Sequence, residues 1–277
     1  MNAETQVAER HADKARNLHG SFIWYELMTH DPDAAKRFYD HVVGWTIEAA
    51  PSGEMDYRMI DTGTGLVGGV MRLTEAMTAA DARPGWLGYI GVDDVDATVA
   101  SVTASGGSVL MPAYDIPGIG RLALLADPQG APFYIMRGAS DDASNAFSPM
   151  QNGHGAWNEL VTSDQAAALA FYQEQFGWTK GDVMPMGAMG DYQFIEHGGE
   201  MIGAIMTGSE GGRRPTWGFC FRVPDIDEAH RRATESGATI THGPMEVPGG
   251  DMVVQAIDPE GAAFMLVAPG NNWGGRG

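Results

Sequence analysis

Hydrophobic and polar positions alternate with a two-residue period over residues 22–29, where Ile23, Tyr25 and Leu27 interleave with Trp24, Glu26 and Met28. That period predicts a β-strand. The pattern then changes. Asp31 stands where a helix N-cap would, Pro32 suits the first helical position, and Ala34, Ala35, Phe38, Tyr39, Val42 and Val43 follow at helical spacing up to Gly44. Three extended pieces come next, near 45–50, 56–61 and 66–73, separated by Pro51-Ser52-Gly53 and Thr62-Gly63-Thr64-Gly65. The unit reads βαβββ.

A second unit of the same plan runs from Trp86 to about residue 137. Its strand at 86–92 leads into Asp93-Asp94-Val95-Asp96, which caps a helix ending at Gly106-Gly107. Strands near 108–111, 120–126 and 132–137 complete it, with the turn Asp127-Pro128-Gln129-Gly130 before the last.

The whole plan then recurs. Trp24, Glu26, Leu27, Thr29, Asp31, Phe38, Tyr39, Gly44 and Trp45 return 133 residues later as Trp157, Glu159, Leu160, Thr162, Asp164, Phe171, Tyr172, Gly177 and Trp178. So long a period marks a duplicated domain, because solenoid repeats run to only about 50 residues. The expected layout is a flexible arm at 1–19, domain one at 20–138, a linker at 139–153, domain two at 154–269 and a tail at 270–277. In domain two a helix is expected from Asp225 to Ser236 and a Gly-rich loop at 208–215.

Composition narrows the partners. Thirty-six acidic residues against 17 basic ones give a net charge of −19, a field that repels nucleic acid and anionic membrane surfaces. No apolar run is long enough to span a bilayer, and residues 1–19 lack the apolar core of a signal peptide. The single Cys220 cannot close an internal disulfide, which suits a reducing cytoplasm. We expect a cytoplasmic protein, a monomer or homodimer, that takes a small organic molecule.

Several motifs in order, each present twice, resemble the vicinal oxygen chelate superfamily of glyoxalases, bleomycin-resistance proteins and extradiol dioxygenases. They are a strand ending in Thr-x-Asp, a helix holding Phe-Tyr, Gly-Trp, the Val-Asp-Asp-Val-Asp and Val-Pro-Asp-Ile-Asp runs at 92–96 and 223–227, and the Asp-Pro-x-Gly turns at 127 and 258. The resemblance implies an α+β fold of tandem glyoxalase-like domains, each built of two βαβββ units whose strands curl around a cleft. It also implies a divalent metal held by residues of the first, fourth, fifth and last strands. Those positions fall on Trp24, Gly68-Gly69, Leu87 and Tyr134 in domain one, and on Trp157, Gly203-Ala204, Gly218 and Met265 in domain two. Indole, phenol, thioether and hydrogen are not the donors such an ion needs. The expectation is therefore no metal cofactor, with a divalent ion in an unusual register as the alternative.

The candidate chemistry lies two residues beyond the tryptophans. Strand parity puts Glu26 and Glu159 on the same side as Trp24 and Trp157. Cleft one should gather Trp24, Met28, Leu87, Tyr89, Tyr134 and Met136 around Glu26. Cleft two should gather Trp157, Val161, Cys220, Arg222 and Met265 around Glu159, with Arg222 placed to pair with that carboxylate. A carboxylate in an apolar wall is prepared as a general base; a purely structural use of the repeated Trp-x-Glu is the plain alternative. Three arrangements stay open: a binding module, an enzyme of the glyoxalase, lyase, isomerase or dioxygenase kind, or one working domain beside a scaffold domain. The scattered histidines lack metal-ligand spacing, and Cys220 reads as a buried, inert thiol.

Overall fold

The computed structural model describes residues 17–51, 55–208 and 214–270. Most of the N-terminal arm, the C-terminal tail from 271, and the centres of the Pro51-Ser52-Gly53 turn and the Gly-rich loop lie outside the described residues.

Domain one is one eight-stranded mixed sheet. Its strands are β1 (Phe22–Thr29), β2 (Thr46–Ile47), β3 (Tyr57–Asp61), β4 (Leu66–Arg72), β5 (Gly85–Gly91), β6 (Ser108–Ile116), β7 (Gly120–Ala126) and β8 (Pro132–Gly138), in the order β2-β3-β4-β1-β5-β8-β7-β6. Domain two repeats this order with β9 (Gly155–Thr162), β10 (Thr179–Pro185), β11 (Asp191–His197), β12 (Glu200–Thr207), β13 (Thr216–Arg222), β14 (Thr239–Glu246), β15 (Asp251–Ile257) and β16 (Ala263–Pro269). The βαβββ units meet where β1 runs antiparallel to β5, and β9 to β13. The architecture is the α+β tandem duplication expected from the sequence.

Among the described residues the α-helices are α1 (Pro32–Val42), α2 (Glu75–Ala79), α3 (Val95–Ala104), α4 (Gln165–Phe176) and α5 (Ile226–Glu235). Asp31, Asp94, Asp164 and Asp225 each accept N-terminal backbone N–H groups through the side chain, the use for which short acceptors are favoured at caps. The pattern located four of the five helices to within two residues. Helix α2 lies between β4 and β5, in a stretch where the sequence pattern predicts no element. At five residues, with no buried side chain, it is too short to leave a periodic signal. Strand β2 is two residues rather than six, and β6 runs on to Ile116.

Parity on β1 separates two environments. Trp24, Glu26 and Met28 face cleft one, while Tyr25 and Leu27 enter a core that both domains share. In that shared core Tyr25 meets Phe219 and Phe221 edge-on at 5.3 and 5.6 Å, and Phe38 meets Phe264 at 5.6 Å. Two reciprocal polar ties cross the same boundary. The Tyr39 hydroxyl donates to Asp258 Oδ2 at 2.9 Å, and Tyr172 donates to Asp127 Oδ2 at 3.1 Å. Each of these aspartates also accepts two backbone N–H groups of its own turn through Oδ1. The Asp-Pro-x-Gly turns thus lock one domain onto the other.

The segment between the domains is fitted in place. Ala146 and His154 are fully buried, and Ser144 donates to the Ile23 carbonyl at 2.6 Å. His154 bonds the Asn145 carbonyl through Nδ1 and the Thr64 hydroxyl through Nε2.

Candidate functional site

Strand register fixes what faces each cleft. Glu26 lies between Gly69 on β4 and Leu87 on β5, and Tyr89 pairs with Trp24 on one side and Tyr134 on the other. Cleft one is accordingly built from Met28, Leu87, Tyr89 and Tyr134, all buried, with Trp24 and Met136 packed against them. All six residues expected around Glu26 come together.

Glu26 is 1% exposed. Its Oε2 accepts the Tyr89 hydroxyl at 2.7 Å, and the phenols of Tyr57 and Tyr134 face the same carboxyl. Oε1 is buried without a partner of full hydrogen-bond geometry. Removal from water dominates the three phenols and pushes this carboxyl up to about 7. The Tyr89 and Tyr134 rings stack at 4.2 Å and 20°. Behind them the Trp24 indole N–H donates to Tyr57 Oη at 2.8 Å. Tyr57 fits only because residue 69 is glycine: a Cβ there would sit 2.2 Å from the phenol oxygen.

Cleft two keeps the chain Trp–Tyr–Glu. Trp157 donates to Tyr192 Oη at 2.8 Å, and Tyr192 donates to Glu159 Oε2 at 2.7 Å. Burial raises the Glu159 carboxyl and the Cys220 thiol above their ordinary values. Unlike Glu26, Glu159 keeps part of its surface open to solvent. Cys220 pairs with Trp157 on one side and Met265 on the other, and these residues cluster with Ala156, Val253 and Val267; Val161 is half-buried on β9.

Arg222 corrects the sequence reading. It does not pair with Glu159; its guanidinium holds Asp251 at 3.0 Å and the Pro149 carbonyl at 3.1 Å. Asp251 opens β15, which parity along β13 alone cannot bring into view. The tyrosines were the residues missed. Tyr57 and Tyr192 recur in the pairs Asp56-Tyr57 and Asp191-Tyr192, but at an offset of 135 rather than 133, so the ungapped repeat passes over them.

The register also tests the family's metal positions. Trp24, Gly69, Leu87 and Tyr134 line cleft one, and Trp157, Ala204, Gly218 and Met265 occupy the matching places in cleft two. One carboxylate among phenols, or beside a thiol and a thioether, does not fit the oxygen and imidazole set of such a site. Among the described residues no three His, Cys, Asp or Glu side chains come together as a metal-holding group.

Two eight-stranded mixed sheets of the same strand order, each made of two βαβββ units, define a glyoxalase-like α+β protein. The chain belongs to the Glyoxalase/Bleomycin resistance protein/Dioxygenase superfamily, whose family model matches residues 21–135 and again 154–266. It is 31% identical over 252 residues to "Putative glyoxylase CFP32" of Mycobacterium tuberculosis, covering 90% of this chain and 95% of that one. It is 32% identical over 260 residues to the "Anthracycline biosynthesis protein DauV" of Streptomyces sp. strain C5, covering 90% and 93%. Among solved structures the fold is shared with the Mn(II)-bound glyoxalase of Novosphingobium aromaticivorans (TM-score 0.63, 19% identity, 90% of this chain and 82% of that one). It is shared also with 2,2',3-trihydroxybiphenyl 1,2-dioxygenase of Sphingomonas wittichii strain RW1 (TM-score 0.64, 11% identity, 91% of each). No helix among the described residues is long and apolar enough to cross a membrane.

Proposed function

We propose that this protein binds a small, flat organic molecule in an aromatic- and Met-lined cleft, without the divalent ion that many of its superfamily use. The observation that carries this reading is the repeated Trp–Tyr–Glu chain, whose tryptophan takes the first-strand ion-ligand position and whose carboxylate is a hydrogen-bond acceptor set in an apolar aromatic wall. Such a wall recognises ring systems by contact area and orients them with a few polar groups. The Streptomyces relative is named for anthracycline biosynthesis, and anthracyclines are flat hydroxylated quinones, chemistry that this wall suits.

The test uses 1,4-dihydroxyanthraquinone, followed by its visible absorbance, together with elemental analysis of the purified protein. Saturable binding that survives dialysis against a chelator, with Mn, Fe, Ni and Zn far below one per chain, is the expected result. Near-stoichiometric metal and binding lost on chelation overturn the reading.

A second reading rests on the Glu26 carboxyl near neutrality. A base with that pKa can take a proton from carbon next to a carbonyl at physiological pH, which makes an enzyme of the lyase or isomerase kind the alternative.

A further inference from the structure

We infer that the two clefts are not equivalent, and that cleft two alone receives the ligand while cleft one is filled by its own side chains. The inference rests on the binding reading above and names where, and what, the protein binds.

The register gives the exchange position by position. Leu87, Tyr89, Gly91, Tyr134 and Met136 floor cleft one; Gly218, Cys220, Arg222, Met265 and Val267 hold the same places in cleft two. Together the second set has roughly eight fewer side-chain heavy atoms, and at the close packing of protein interiors that is space on the order of one aromatic ring. Leu73 continues the trend. Its backbone N–H bonds Thr29 as that of Gly208 bonds Thr162, so a buried leucine in cleft one is matched by a glycine in cleft two. Cleft one is closed further by Met77 of α2, packed on the same cluster. The carboxylates register the outcome: Glu26 is sealed, whereas Glu159 still meets solvent.

What remains in cleft two selects a ligand class. Trp157 and Phe194 stand edge to face at 5.8 Å, and Tyr192 meets Phe194 at 5.5 Å, giving an aromatic wall opposite soft sulfur and methyl groups. Tyr192 takes Oε2 of Glu159, so Oε1 is free to accept from a ligand. Arg222 is neutralised by Asp251 and offers no unpaired cation for an anionic group. The site fits an uncharged, flat aromatic molecule carrying a hydroxyl.

The experiment restores the filling of cleft one in cleft two. Residue 218 carries no positive φ, and a Cβ there meets first the flexible Met265 methyl at 3.2 Å, so Gly218→Leu is tolerable; Met265→Tyr is the second variant. Thermal melts establish which variants fold. Wild type should bind one 1,4-dihydroxyanthraquinone per chain, and each folded variant should weaken it at least about tenfold. Two probes per chain, or undiminished binding in a folded variant, overturn the assignment to cleft two. Wild type that binds none of the probe overturns the binding reading itself.

Discussion

The Tyr25 hydroxyl donates to Asn158 Oδ1 at 3.0 Å, although both residues hold the same place in the repeat, 133 positions apart. The pair sits where equivalent strands of the two domains face each other, and the two copies have diverged there into a donor and an acceptor. Both side chains are buried, and Asn158 uses its amide N–H on the Ile202 carbonyl at 2.7 Å. Tyr25→Phe strips the acceptor of its partner without removing the ring. We expect a loss of about 1–3 kcal/mol in urea unfolding; an unchanged midpoint would show that Asn158 Oδ1 needs no donor.

Buried Glu26 should leave a signature in the pH dependence of stability. Its folded value of about 7 lies above the ordinary 4.5, so between those values the folded chain binds more protons than the unfolded one. Stability from this group is full below pH 4.5, falls as pH rises to about 7, and is flat above. The drop is on the order of 3 kcal/mol. Glu159, Asp127 and Asp258 are shifted the same way, so the measurement is a difference: Glu26→Gln should remove its share of the slope. Parallel curves for wild type and variant would refute the shift.

Arg58 is a buried cation with two acidic partners, its Nε on Asp56 and its Nη1 on Asp33, both at 2.7 Å. Asp56 keeps Arg72 at 2.9 Å and Asp33 is largely exposed, so Arg58→Ala costs chiefly the buried packing and charge-assisted bonds of the arginine itself, about 2–4 kcal/mol. Arg58→Lys should recover only part, because one ammonium cannot span the fork that reaches β3's own entry and the first turn of α1. Equal stability of the lysine variant and wild type in guanidinium unfolding would rule this out.

Glycines at matching points of β4 and β12 permit the parallel pairing with β1 and β9. A Cβ on Gly203 would lie 1.9 Å from the Asn158 carbonyl oxygen, and one on Gly68 would lie 2.1 Å from that of Tyr25. Both obstacles are backbone, so neither can step aside. Gly203→Ala should therefore destabilise domain two by several kcal/mol, on the scale of severe overpacking, and lower the melting temperature. An alanine variant that melts with wild type would mean that the strands can separate freely.

If the enzyme reading holds, turnover of an activated carbonyl substrate should disappear in Glu26→Gln or Glu159→Gln while binding persists. The rate should rise through about pH 7 where Glu26 is the base. Activity in both variants would remove these carboxylates from the reaction.

Local chemistry written in the chain determined much of this protein. Alternation over 22–29, the aspartate caps, the Asp-Pro-x-Gly turns and the ungapped repeat specify strands, helices and two copies of one domain. They also put Glu26 and Glu159 beside their tryptophans, because side-chain parity on a strand is a local property. Tertiary structure decided the rest. Tyr57 and Tyr192 reach the carboxylates from a strand beyond β4 and β12, Arg222 turns to Asp251 from across the sheet, and Asp127 and Asp258 tie each domain to the other. The contrast between a filled cleft and an open one depends on which residues of β5, β8, β13 and β16 lie opposite each other. Strand pairing sets that, because sequence periodicity records which face a residue takes and carries no record of its neighbour across the ladder.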